Sequence, residues 1–509
     1  MTVQQQQATI PTVLVYEDDP GFPPQVNMPV PHPVPHLDTQ PFPTAIAESV
    51  PQPDGAGPGT EAFRYWVAAD ALSRASQTWG PLVPTGTQWH PTVGRALTAH
   101  LNAGNDLNAF YDRKGLWFFR RTVQGVTVAS CESSEVVEHE TGHAILDALR
   151  PQLFDAASAE AAALHEAFGD ISALLTSLGL ESLRIAVLAE TQGDLELSSR
   201  VSRMAEQLGW AIRQGHPNVV DSDCLRNLSN SFFYRDPVEL PPSAPANLLS
   251  SEPHSFSRLF SGAFLKVVAG IFRQQDLQDQ AGLALAAQTA GQLLVDAVVA
   301  APVVSAYYAQ VAGHMIAADQ RRNGGKYGPS LRSAFIRHGI LSLEAATSIT
   351  EPEVARKAAA IAEATPGGGA DEGLTAVTIH GSTYGLTQPL TLCAPRRNDG
   401  SASRAPTPPA ARCGPPTRSG SPPRTSRTSS AVAASRYPRS TAPVRRLPTT
   451  APPGSRRTRS PGARPARVSP SSDGASTDPP VEPAHSAVKA QTADGEPSVV
   501  CALDDVRRP

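Results

Sequence analysis

The 509-residue sequence predicts an α+β fold. A β-containing N-terminal lobe ends in one long helix, a mainly α-helical lobe follows, and a disordered tail closes the chain. Three observations carry this. Residues 107–130, "LNAFYDRKGLWFFRRTVQGVTVAS", set short apolar runs between turn residues, the signature of paired strands. From 133 to about 345 the apolar residues recur with helical spacing. Beyond 393 the chain turns to Pro, Arg, Ser, Thr and Ala with a single aromatic, Tyr437, a composition that cannot bury a core.

Residues 1–60 are Pro-rich ("PPQVNMPVPHPVPHLDTQPFP") and read as an extended, wrapping or propeptide-like segment. Residues 61–150 form the first lobe. Its opening stretch, "GTEAFRYWVAADALSRASQTW", places Phe63, Trp66, Val67 and Ala71 on one helical face. A hairpin follows, turning at residues 113–115, and Ser133 or Ser134 is positioned to cap a helix that starts at Glu135. In the second lobe, 151–345, "EAAALHEAFGDISALLTSL", "FSRLFSGAFLKVVAGIFRQQ" and the Ala-rich 281–320 stretch are helices. Residues 346–393 are a linker in which "TAVTIHGSTYGLTQPLTL" reads as a short strand pair, and 394–509 are the tail.

Charge divides the chain in the same way. Residues 396–467 hold sixteen arginines, no lysine and one acid, Asp399. Residues 396–509 carry 19 basic and 8 acidic residues; the remainder carries 24 and 39, so an acidic body bears a basic tail. Five cysteines without paired spacing support neither a disulfide framework nor a cysteine metal site. The first residues lack the apolar core of a signal peptide. The most membrane-like run, "LLVDAVVAAPVVSAYYAQVAG", is broken by Asp296 and Pro302 and reads better as a buried helix pair. The expectation is a cytoplasmic or non-classically exported protein that does not span a membrane. The sequence leaves its oligomeric state open.

The chemistry centres on "EVVEHETGHAILDALRP". On a helix, His139 and His143 are one turn apart on one face and can direct both imidazoles at one ion. Glu140 projects about 100° away, which suits a carboxylate that activates water beside a metal without ligating it. The same five residues also fit a plain helix with two histidines. A catalytic zinc needs a third protein ligand and an open position, and the next helix offers "HEAFGD". There Glu166 and Asp170 share a face, so one can ligate while the other accepts the second N–H of a ligating histidine. His165 points away from that face and reads as a polar boundary residue.

"HETGH" followed by "HEAFGD" resembles the zinc signature of the thermolysin-like gluzincin metallopeptidases. The resemblance covers roughly residues 60–345 and implies a thermolysin-like arrangement, with the active-site cleft between the two lobes. It implies one catalytic Zn2+ held by His139, His143 and Glu166, with Glu140 as general base and Asp170 orienting the first histidine. "LNAFYD" is similar to the family's edge strand, so Asn108 and Ala109 are expected to pair with the main chain of a peptide or protein substrate. "CLRNLSNSFFYRDP" implies that Arg226 donates a forked pair of hydrogen bonds to a substrate carbonyl. "SSEPHSFSRLFSGAFLKVV" implies that His254 stabilises an oxyanion.

The sequence departs from the family in places. Twenty-two residues separate His143 from Glu166, a few more than usual, and none of them is a tyrosine, so the family's second oxyanion donor has no counterpart. Acidic calcium clusters after Glu166 are not recognisable, and calcium is not expected. Three rival readings stand beside the peptidase. One is a zinc-binding scaffold without catalysis. Another is nucleic-acid binding through the Arg-rich tail, which has almost no aromatics for stacking and no folded module. The third treats the tail as an out-of-frame translation.

Overall fold

The computed structural model describes residues 11–53, 56–349, 374–379, 390–395 and 499–500, and these build a mixed α+β fold. The Pro-rich start is woven into the body. β1 (Thr12–Val15) pairs antiparallel with β4 (Val30–Pro33) around the short ribbon of β2 (Gly21–Phe22) and β3 (Gln25–Val26). Val13, Val15, Tyr16 and Phe42 are buried in the common core, and Ser134 Oγ donates to Tyr16 O at 2.6 Å.

β5 (Thr44–Ile46) runs parallel to β6 (Leu97–His100), which runs parallel to β8 (Leu116–Phe118). β7 (Ala109–Tyr111) lies antiparallel to β8. The hairpin turns where expected: Arg113 takes φ 65°, and Asp112 Oδ1 accepts from the amides of Lys114 and Gly115. A second hairpin, β9 (Arg120–Val123) and β10 (Val126–Ala129), turns through Gln124 and Gly125, both at positive φ. Two consecutive positive-φ residues match the twist of the flanking strands.

α1 (Glu61–Trp79) starts at the cap Thr60, whose side chain accepts from Phe63 N. Phe63, Trp66, Val67 and Ala71 are buried, but so are Arg64, Asp70 and Arg74. The helix is therefore central, not amphipathic at a surface. Its charges are neutralised internally, Arg64 by Glu132 at 2.7 Å and Arg74 by Asp70 at 2.8 Å and Glu138 at 2.9 Å. Without those partners, burial of the guanidinium groups would be strongly unfavourable.

α2 (Ser134–Leu149) is capped by Ser133 and is followed by α3 (Ala159–Ser177) and α4 (Glu181–Thr191). Trp79 ties α1 to α3, stacking on Phe168 at 4.7 Å and donating Nε1–H to Ser172 Oγ at 2.9 Å. α5 (Glu206–Arg213) follows the strand β11 (Arg203–Met204), which pairs with β12 (Arg226–Asn227). The remaining lobe is helical: α6 (Pro253–Phe272), α7 (Gln280–Ala300), α8 (Tyr307–Asn323), α9 (Gly328–Arg337) and α10 (Leu343–Ser348). α6 and α7 are long and apolar enough, by length and composition, to cross a membrane. In the fold, 89% of the most apolar window of α6 and 56% of that of α7 is buried, so this apolar surface packs the core. Pro302 falls between α7 and α8, as its lack of an N–H and fixed φ predict.

β13 (Leu374–Ile379) and β14 (Leu390–Pro395) form the antiparallel pair read in the linker. The tail departs from expectation at one place. β15 (Val499–Val500) pairs antiparallel with β7 and completes a five-stranded sheet of order β15-β7-β8-β6-β5. Two adjacent β-branched residues suffice to add to an open sheet edge, because main-chain pairing needs no core composition. The Arg-rich part of the tail lies outside the described residues.

Candidate metal centre

α2 and α3 meet closely because two glycines let them. A Cβ at Gly142 would come 2.6 Å from Ser172 Cβ and 3.1 Å from Gly169 Cα. At Gly169 a Cβ would come 2.6 Å from His139 Cε1. The missing side chain of Gly169 is the space that the His139 imidazole fills.

Within this contact His139, Glu140 and His143 are all buried, and their ligand-type atoms lie within 4.8 Å of one another. The group could hold a metal ion. Glu166 comes from α3 to the same place: its Oε2 is 3.6 Å from His139 Nε2 and its Oε1 is 3.7 Å from His143 Nε2. Among the described residues neither histidine Nε2 has a hydrogen-bond partner. Two ligands about 2.0–2.1 Å from a tetrahedral ion are separated by ~3.4 Å. The observed spacings are too long for hydrogen bonds and close to that edge length. Orphaned imidazole nitrogens in a buried wall are costly unless something else satisfies them.

The far side of each imidazole is held. His139 Nδ1 is 3.1 Å from Asp170 Oδ1. His143 Nδ1 is 3.1 Å from His165 Nδ1. His165 is thus not a boundary residue. It is buried, with Phe154 edge-on to its ring at 5.8 Å, and it positions His143. For His143 Nε2 to bind a cation, its Nδ1 must carry the proton and His165 Nδ1 must accept.

The electrostatics follow from these contacts. Burial opposes charge on His139, but the contact with Asp170 and the nearby Glu166 carboxylate outweigh it and raise its pKa to about 9. Burial, reinforced by the other imidazoles, holds His143 well below the usual histidine range, so it is neutral. Burial alone would raise Glu166; the positive charge of His254 and the neighbouring His143 and His139 rings reverse this and hold it low. Asp170 is likewise lowered against its burial, by Arg226 and His139.

Arg226, on β12, is buried and directs Nη2 and Nε at Asp170, at 2.7 and 3.3 Å. The fork expected on a substrate carbonyl is in this structure closed on the carboxylate that holds His139. His254, in the first turn of α6, brings Nε2 to 3.2 Å from Glu166 Oε2. Its Nδ1 faces Glu252, which also caps α6 by accepting from the amides of His254 and Ser255. Glu252 was not anticipated, although an acid immediately before a proline and a helical run is a readable cap.

Asn108 and Ala109 are buried at the start of β7. The Asn108 carbonyl accepts from Phe119 N, and its Oδ1 accepts from Ala109 N. Tyr111 Oη donates to Asp147 Oδ2 at 3.0 Å, which ties β7 to the metal-site helix one turn beyond His143. Arg113 closes the same carboxylate at 2.6 Å.

Two surface cavities, of about 190 and about 500 Å3, lie elsewhere, against Lys266, Arg273 and Arg337 and against Arg64, Arg120 and Arg121. Neither is lined by the histidine cluster. The histidine cluster is the better candidate site, since it brings buried imidazoles and carboxylates from two facing helices close enough to share an ion. Compared with protein-family models and with curated proteins, the chain matches none.

Proposed function

We propose that the chain is a zinc metalloendopeptidase, in which His139, His143 and Glu166 hold the ion and Glu140 is the general base. The observation that carries this reading is the pair of buried Nε2 atoms, without a hydrogen bond among the described residues, that face one carboxylate at 3.6 and 3.7 Å. Imidazole and carboxylate donors in this set suit zinc. A zinc ion held there supplies a Lewis acid and acidifies water in contact with it.

The protein's own residues do the rest. Asp170 and His165 fix the two imidazoles from behind, so their lone pairs converge. Glu140 follows His139 on the same buried helix and would serve as the base beside a bound ion, moving the proton from water to the leaving amine. His254, held by Glu252, presents its ring beside Glu166 and donates toward developing negative charge. Arg226 acts through Asp170. β7 offers main-chain groups to an extended peptide, which makes binding tolerant of side-chain identity.

Glu140→Gln should retain one zinc per chain by elemental analysis and lose peptide hydrolysis by at least ~10²-fold. Full activity in that variant rules out the base assignment. Glu166→Ala should lower zinc content, and unchanged stoichiometry removes Glu166 from the ligand set.

A further inference from the structure

The outer edge of β7 is taken by the chain's own C-terminal strand. Val499 pairs with Tyr111 and Val500 with Phe110, antiparallel. The other edge of β7 belongs to β8, with Phe110 opposite Trp117. Along an antiparallel strand, main-chain groups point alternately to the two neighbours. Asn108 O accepts from Phe119 N and Asp112 N donates to Gly115 O, so the even-numbered residues face β8. Ala109 and Tyr111 therefore direct their N–H and C=O outward. Tyr111 is also the residue whose hydroxyl is bonded to Asp147, one turn beyond His143 on α2. The outward edge thus belongs to a strand fixed directly to the metal-site helix.

An edge of this kind binds extended chains through the backbone, with little demand on sequence. A segment of the same chain reaches it at a high effective concentration and excludes a free peptide unless it is displaced. We infer that Val499–Val500 are an intrasteric occupant of the outer edge of β7, so that the full chain is self-occluded and binds an extended, β-branched peptide only when this strand leaves. The inference rests on the peptidase reading only for its consequence on hydrolysis; the occupancy stands on the pairing itself.

The test uses the full chain and a double variant, Val499→Pro with Val500→Pro. Proline has no N–H to donate and is excluded from a paired strand. Hydrogen exchange at the Tyr111 amide should accelerate at least tenfold in the variant. A fluorescent peptide spanning residues 495–503 should bind the variant at least tenfold more tightly than the unaltered chain. Equal exchange, or equal peptide binding, overturns the proposal. Protection that falls on dilution of the unaltered chain also overturns it, by reassigning the strand to a second copy. With zinc present, KM for a peptide substrate should fall in the variant at little change in kcat. If neither chain hydrolyses peptide while exchange and binding respond as stated, the peptidase reading fails and the occupancy holds.

Discussion

Gly169 and the imidazole of His139 occupy adjoining space that admits no methyl group: a Cβ at Gly169 would lie 2.6 Å from Cε1, 2.7 Å from Nδ1 and 2.8 Å from Nε2. The ring is held between this position and Asp170, and a carbon added at Gly169 must move it. Gly169→Ala should therefore cost about 1–3 kcal/mol of stability through overpacking. It should also weaken zinc binding by at least ~10-fold through displacement of a ligand. Thermal unfolding and zinc titration against a competing chelator measure both. Wild-type zinc affinity in this variant would show that the ring does not serve the metal.

His165 holds His143 through a contact between two Nδ1 atoms. Its removal leaves His143 free to rotate and to adopt the tautomer that cannot ligate. His165→Ala should lower zinc affinity ~10–100-fold. His165→Asn, which can still accept through its amide oxygen, should recover part of that loss. Equal defects in the two variants would assign His165 to packing alone.

Glu252 both caps α6 and faces His254. Glu252→Ala should destabilise the fold by about 1 kcal/mol through loss of the cap. If peptide hydrolysis depends on His254, kcat should fall as well, with zinc content unchanged. The paired variant Glu252→Gln keeps acceptors for the two amides. It should restore stability more fully than kcat, because it cannot supply the second of the two charges, after Glu166, that raise the His254 pKa against its burial. A kcat unaffected by either change would remove His254 from the reaction.

His32 makes the most direct pH prediction away from the metal centre. Its Nδ1 meets Asp70 at 3.0 Å and its Nε2 meets Glu17 at 3.2 Å. Hydrogen bonds to Asp70 and Glu17 raise its pKa to about 9. A histidine raised on folding gives its full stabilisation below the unfolded pKa of ~6.5 and loses it as pH rises through the folded value. The difference amounts to about 3 kcal/mol. Buried Asp18, Asp19 and Glu138, raised to about 6, 7 and 8, chiefly by burial, add their own loss of stability with rising pH. That background is common to the wild type and His32→Gln, so the difference between their unfolding free energies isolates His32. The difference should be largest near pH 6 and shrink toward pH 9.5. A difference that does not vary over that range contradicts the assignment.

Much of the fold was legible in the sequence because its signals are local. The Ser133 cap, the turn at Arg113 and the helix through His139 and His143 each depend on residues within a few positions, and the strands β13 and β14 are neighbours in the chain. The spacing of His139, Glu140 and His143 on one helix likewise needs no tertiary information. α1 was harder. Its apolar face was readable, but the burial of Arg64 and Arg74 depends on Glu132 and Glu138, which lie more than sixty residues further along the chain.

By itself, the sequence determined the α+β order of elements and the residue types able to hold a metal. Only the tertiary structure decided which atoms face one another. It turned His165 from a boundary residue into the partner of His143, closed Arg226 on Asp170, and laid Val499–Val500 against Tyr111. The reason is physical. Helical period fixes neighbours one turn apart, whereas the meeting of α2 with α3 depends on two glycines whose absent side chains are visible only once both helices are packed.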